Sequence, residues 1–168
     1  SVRLAGRRRA RRAVPNMGAW ELWLKGRSTA LEYTPDAMLR AGERFRAALR
    51  LDATFALPHL GLAEMAWQAT SFGLLPVRPG LAQVRAGIDA ALALDDSLGE
   101  AHALDGVLRG LLEFDWDAAG RCFERALEEN PSSGDVRRHY AWTYLATRGR
   151  LAEADLVDAR QKQERASA

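Results

Sequence analysis

One phrase returns three times along the chain, and it limits the fold more than any other feature. It reads AALRLDA at 47–53, AALALDD at 90–96 and RALEENP at 125–131. In register, Ala48, Ala91 and Ala126 align, and Phe45, Ile88 and Phe123 stand three residues before them. The intervals are 43 and 35 residues, so a shared unit recurs with insertions inside it. Each phrase closes an amphipathic stretch. In 35–50 the apolar positions are Met38, Ala41, Phe45, Ala48 and Leu49; in 81–94 they are Leu81, Val84, Ile88, Ala91 and Leu92. In 117–129 they are Ala118, Ala119, Cys122, Phe123, Ala126 and Leu127. Steps of three and four put each set on one helical face. A second helical stretch precedes each phrase, at 17–32, 55–70 and 99–113, and a fourth, 134–147, follows Pro131.

The boundaries carry helix-end chemistry. Thr34-Pro35 reads as an N-cap followed by proline at the first helical position. Ser97 with Glu100 reads as a capping box for the helix through His102, Asp115 as the cap before Trp116, and Gly149 as the turn after the helix through Tyr144. The pattern predicts eight helices in four hairpins, an all-α fold. Composition agrees: Ala, Leu, Arg and Glu, all good helix formers, dominate a chain that is 48% hydrophobic and 27% charged. No alternating β-branched run argues for a strand, and no stretch reaches the ~20 apolar residues of a membrane span.

The second-helix pattern resembles the tetratricopeptide repeat family, whose unit of about 34 residues reads W-x2-L-G-x2-Y, then A-x3-F, then Ala, then Pro. It is carried by Ala41-x3-Phe45 with Ala48, by Val84-x3-Ile88 with Ala91, and by Ala119-x3-Phe123 with Ala126 and Pro131. The small residue of the first helix is Gly26, Ala63, Gly106 and Ala141, and its later aromatic survives as Tyr144. The resemblance implies an α-α superhelix, a solenoid of about four hairpins over 16–165, with repeats at 17–51, 54–95, 98–130 and 133–165. The first two units carry longer turns, SFGLLPVRP supplying most of the second excess. The last helix departs from the pattern with Asp158 and Gln161 and reads as a polar cap or a cut edge, as solenoid ends require. AWELWLKGR, SFGLLP, LDDSLGEAHAL and EFDWDAAGRCFERALEENP resemble one bacterial group of these repeats. That group stands C-terminal to winged-helix, cyclase or kinase domains, which implies a regulatory, protein-binding segment in the cytoplasm. The start at Ser1, without methionine, fits a piece of a larger protein.

Charge is uneven. The formal net is +2, yet Arg3, Arg7, Arg8, Arg9, Arg11 and Arg12 precede any acid, so the body from residue 13 is net acidic. The arm, 1–15, reads first as a linker. A nucleic-acid contact through Arg7, Arg8, Arg9, Arg11 and Arg12 is the main alternative, and a juxtamembrane cluster the other.

Catalytic chemistry is not expected. The single cysteine, Cys122, excludes an intramolecular disulfide, and beside Phe123 it reads as a packed thiol. His59 and His102 share a register, but His139 falls one residue out of it, so no metal site is expected. Glu113, Asp115 and Asp117 crowd a hairpin turn as caps and solvated charges. No glycine-rich phosphate motif occurs, so no cofactor is expected.

The expected function is a protein-interaction scaffold whose first helices line a concave groove. Trp23, Leu60, Ala103 and Arg138 form one row there; Arg27, Glu64, Val107 and Trp142 form the next, one turn on, and Trp67 stands a turn further. The candidate groove residues are Trp23, Arg27, Leu60, Glu64, Trp67, Val107, Arg138 and Trp142. The expected partner is a peptide, a helix, a neighbouring domain or a second copy of the chain, with the 71–79 turn as a rival surface. A carboxylate clamp of the chaperone-binding kind is not expected, because Lys25 and Lys162 are the only lysines, and Asn16 and Asn130 fall outside the first helices.

Overall fold

The computed structural model describes residues 15–166, with the side chains of 158 and 160–166 outside that description. The basic arm up to residue 14 and the departures at Asp158 and Gln161 therefore lie outside the described residues or side chains. Every regular element described is helical: α1 Met17–Ala30, α2 Pro35–Leu51, α3 Ala56–Ser71, α4 Val77–Leu94, α5 Gly99–Leu111, α6 Trp116–Glu129, α7 Gly134–His139 and α8 Leu151–Ala166. Expected as one helix over 134–147, α7 instead widens into a π turn at Tyr140–Leu145 and closes with a 3₁₀ turn at Ala146–Arg148. Gly149 then turns the chain in the left-handed region, φ 75°. The helices pair as α1 with α2, α3 with α4 and α5 with α6, and α2 packs on α3.

Helix starts follow from local donors and acceptors. Thr34 accepts from the Ala37 N–H at 3.1 Å ahead of Pro35, and Asp115 accepts from the Ala118 N–H at 2.9 Å. The capping box expected at Ser97 does not form. The Ser97 N–H and hydroxyl both donate to Asp95 Oδ1, at 3.0 and 2.6 Å, and α5 starts at Gly99 without a side-chain cap. An acceptor two residues upstream captured the serine before it could turn toward the helix. The inserted turn is also shorter than expected. Pro79 falls in the first turn of α4, where its missing N–H costs nothing, so α4 starts at Val77 and leaves only 72–76 as loop.

The recurring phrase has a structural counterpart. Asp52, Asp95 and Asn130 each end a second helix, their N–H groups donating to Ala48, Ala91 and Ala126 at 2.9, 2.9 and 3.0 Å. Each side chain then accepts from the hydroxyl two residues on: Thr54 at 2.7 Å, Ser97 at 2.6 Å and Ser132 at 3.3 Å. The next helix closes the same loop from the other side. His59 bonds the Ala53 backbone, His102 Nε2 lies 2.8 Å from the Asp96 carbonyl, and Arg137 Nε donates to the Pro131 carbonyl at 2.8 Å. Each of these reaches back six residues. The histidines that share a register thus share a loop-tying role rather than a site.

Packing rests on close backbone approach around the second-helix aromatics. The Phe45 ring is held between α1 and α3: a Cβ at Gly26 or at Gly61 would come within 2.7 Å of it. Phe123 meets Gly106 the same way, at 2.9 Å. Phe45, Ile88 and Phe123 are essentially fully buried, each in its own apolar cluster. Truncating Phe123 to Ala should cost about 3–5 kcal/mol in chemical denaturation. Gly61→Ala, which adds one methyl against Phe45, should cost about 1–3 kcal/mol. A Phe123→Ala loss below about 1 kcal/mol would contradict the packing described.

Candidate functional site: a pocket between the first helices

The first helices of all four hairpins contribute to one pocket of about 250 Å³. From α1 come Trp20, Trp23 and Arg27; from α3, Leu57, Leu60 and Glu64. Leu98 and Glu100 at the start of α5, Asn130 and the α7 residue Asp135 close it. Its apolar wall is an aromatic stack. Trp20 lies 4.8 Å from Trp23 and 5.9 Å from Phe55, ring centroid to centroid. Trp20 is the exposed member of this stack, whereas Trp23 is only 8% exposed and belongs to the core around Phe45.

Four of the eight groove candidates, Trp23, Arg27, Leu60 and Glu64, meet in this pocket. The others do not line it. Val107 is sealed against Phe123 and Ala126, and Trp67 is wedged, half-buried, between two apolar clusters. Arg138 stands beside the pocket, donating to Asp135 at 3.1 Å, and Trp142 is half exposed on the π turn beyond it. The pocket residues outside the candidate set, of which the sequence had marked only Trp20 as a first-helix tryptophan, have a pattern of their own. Trp20, Leu57, Glu100 and Asp135 each stand three residues before Trp23, Leu60, Ala103 and Arg138. They are the row one turn earlier, and extending the same register toward the helix N-termini would have found them.

The charges in the pocket are unequal. Asp135 is held by Arg138 at 3.1 Å and lies 4.0 Å from Arg27, an ion pair that spans from α1 to α7. Glu100 accepts from Asn130 Nδ2 at 2.8 Å. The Arg27 guanidinium lies over the Trp23 ring at 5.6 Å. Glu64 has none of this: among the described residues no hydrogen bond or ion pair reaches its carboxylate. The side chain keeps some solvent-accessible surface at the pocket; desolvation first, then Asp135 and Glu100, push its pKa up to about 7 against the opposing pull of Arg27 and Arg138.

A second buried acid is treated in the opposite way. Asp105 of α5 takes hydrogen bonds from Arg85 of α4, from Arg109 Nε at 2.9 Å and from the Cys122 thiol at 3.3 Å. These partners outweigh burial and hold its carboxyl below the usual range. Burial and the Asp105 charge push the Cys122 thiol up to about 11, so it is no ready nucleophile. Glu113 pairs with Arg85 at 2.5 Å and Asp115 caps α6, so these two acids of EFDWD have structural roles. Among the described residues no group of three or more His, Cys, Asp or Glu could hold a metal ion, and no helix is long and apolar enough to cross a membrane.

A larger, shallower cleft of about 750 Å³ lies on α2, α3 and α4, lined by Met38, Leu39, Leu62 and Met65 and bordered by Leu74 and Leu75 of the inserted loop. No protein-family model matches the chain, and no curated protein matches it.

Glu64 makes the pocket visible in a pH titration of stability. Its carboxyl ionises near pH 4.5 when unfolded and near 7 when folded, so folding binds a proton between these values and stability falls as pH rises through them. His139 runs the other way: burial holds its imidazole down to about 4, so stability falls as pH drops below its ordinary 6.5. Comparison with Glu64→Gln isolates the carboxyl. The Gln variant should exceed the parent by up to about 3 kcal/mol at pH 8 in urea melts, with the margin closing toward pH 5. A margin independent of pH would mean that the Glu64 carboxyl is solvated.

Proposed function

We propose that the chain is a tetratricopeptide-like α-solenoid acting as a protein-interaction module, which holds a segment of a partner against its first helices. The observation that carries this reading is the pocket that α1, α3, α5 and α7 build together, with an aromatic wall on one side and charged groups on the other. Recognition surfaces favour such a mixture, because aromatic side chains supply contact area and charges set direction. The recurring loop ties and glycine–aromatic clasps support the repeat part of the reading, since a solenoid reuses one set of neighbour contacts. The bacterial resemblance adds the context of a larger regulatory protein in the cytoplasm. The nucleic-acid alternative rests on Arg7 to Arg12, outside the described residues, and its signature is binding that weakens steeply with salt.

One observation favours a second surface on the same molecule. Phe72 and Leu74 are exposed in the inserted loop and Val77 at the start of α4, and Leu74 and Leu75 border the 750 Å³ cleft. The two surfaces separate by mutation. Partners are recovered on the immobilised chain, and their affinities for Trp20→Ala are compared with those for a Phe72→Ser, Leu74→Ser double variant, each checked by circular dichroism. The expected result is a loss of about tenfold or more in the Trp20 variant and little change in the loop variant. The reverse pattern would move the binding site to the loop.

A further inference from the structure

The pocket is too small for a whole helix and lies below the usual range for drug-sized ligands, about 300–1,000 Å³. It fits one long side chain of a partner. What kind of side chain is decided by the charges. Asp135 is shared between Arg138 and Arg27, Glu100 is occupied by Asn130, and Arg27 lies over Trp23. That leaves the Glu64 carboxylate, which faces the pocket with no hydrogen bond or ion pair among the described residues. A partly desolvated carboxylate without a partner is costly, and the cost is removed by a cation or a proton. An anionic side chain would add repulsion to Glu64, Glu100 and Asp135. A purely apolar one would fill the wall and leave the carboxyl unsatisfied.

Resting on the groove reading above, we infer that the pocket receives a lysine or arginine side chain from a partner segment, its aliphatic stem along Trp20 and Leu57 and its charged head on Glu64. A long basic side chain has this division, with methylenes for the aromatic wall and a charge at the tip. Its apolar neighbours in the partner would rest on Trp20, the exposed member of the aromatic wall. Occupation is coupled to protons. Around Glu64 stand Arg27 from α1, Glu100 from α5, and Asp135 and Arg138 from α7. With that environment the free pocket holds its carboxyl protonated up to about pH 7, so a cation entering below that pH must displace the proton, and affinity rises with pH until the carboxyl is ionised.

The probe is a displayed library of random 12-residue peptides, selected on the whole chain at pH 8. Selected peptides are then measured one by one against the parent chain, Glu64→Gln and Trp20→Ala. The expected peptides carry Lys or Arg beside a leucine or aromatic residue and lose about tenfold or more in affinity when that residue becomes norleucine. They lose a similar factor on Glu64→Gln, with little further loss when both changes are combined, because both changes break the same contact. On the parent their affinity should rise several-fold from pH 6 to pH 8, and on Glu64→Gln it should be flat. If the Gln variant does not fold, the norleucine exchange and the pH dependence on the parent decide alone. Peptides that need Trp20 but bind the parent and Glu64→Gln equally would overturn the cation site and leave the groove reading standing. Peptides indifferent to Trp20 as well, or a selection without binders, would overturn both.

Discussion

The ring of Phe45 lies between two glycines on different helices, Gly26 of α1 and Gly61 of α3, with no room for a side-chain carbon at either. That clasp sets how near the first helices of successive hairpins can come. It explains why α1 and α3 touch even though α2 lies between them in the chain. Phe123 repeats half of the arrangement on Gly106. In the middle hairpin Ile88 replaces the ring, and closeness is achieved by Gly87, where a Cβ would lie 2.9 Å from Ala63 and from the His59 carbonyl oxygen. Interiors packed at crystal-like density transmit such spacings over long distances. The pocket exists because the clasp brings Trp20, Trp23, Leu60 and Glu64 onto one surface.

Two partly desolvated acids show what the fold does with charge. Asp105 sits where α4, α5 and α6 meet, and Arg85 and Arg109 neutralise it. Removing either arginine would leave a buried charge, so this network joins α4, α5 and α6 as a unit. Glu64 of α3 lines the pocket and, among the described residues, is left without a hydrogen bond or ion pair. Its charged neighbours pull in opposite directions, Asp135 and Glu100 against Arg27 and Arg138, and desolvation is the largest influence on its state. An acid kept half-protonated near neutrality stores free energy that a ligand can release, and the Asp105 network has none to offer.

Much of the fold could be read from the chain alone, because helix periodicity and helix ends are local. The spacing of Phe45, Ala48, Ile88, Ala91, Phe123 and Ala126 predicted the buried faces; Thr34 and Asp115 did cap helix starts, and Gly149 did turn the chain, as expected. Local competition misled at two places. Ser97 had two acceptable conformations, and the nearer acceptor, Asp95, won. The RP of 78–79 looked like loop but starts a helix, since proline in a first turn forfeits no hydrogen bond.

The pocket divides the same way. Which residues face the first-helix side was determined by the sequence, since a helical register places Trp23, Leu60, Arg27 and Glu64 on one stripe whatever the surroundings. Which turn of that stripe forms a cavity was decided only by tertiary structure. The answer was one turn earlier, at Trp20, Leu57, Glu100 and Asp135. The physical reason is that a cavity depends on the angle and distance between hairpins, which the glycine–aromatic clasps and the loop ties set together. Arg138 holds Asp135 from three residues on along one helix, but Asn130 on Glu100 and Arg27 on Asp135 come from distant parts of the chain that no periodicity brings together.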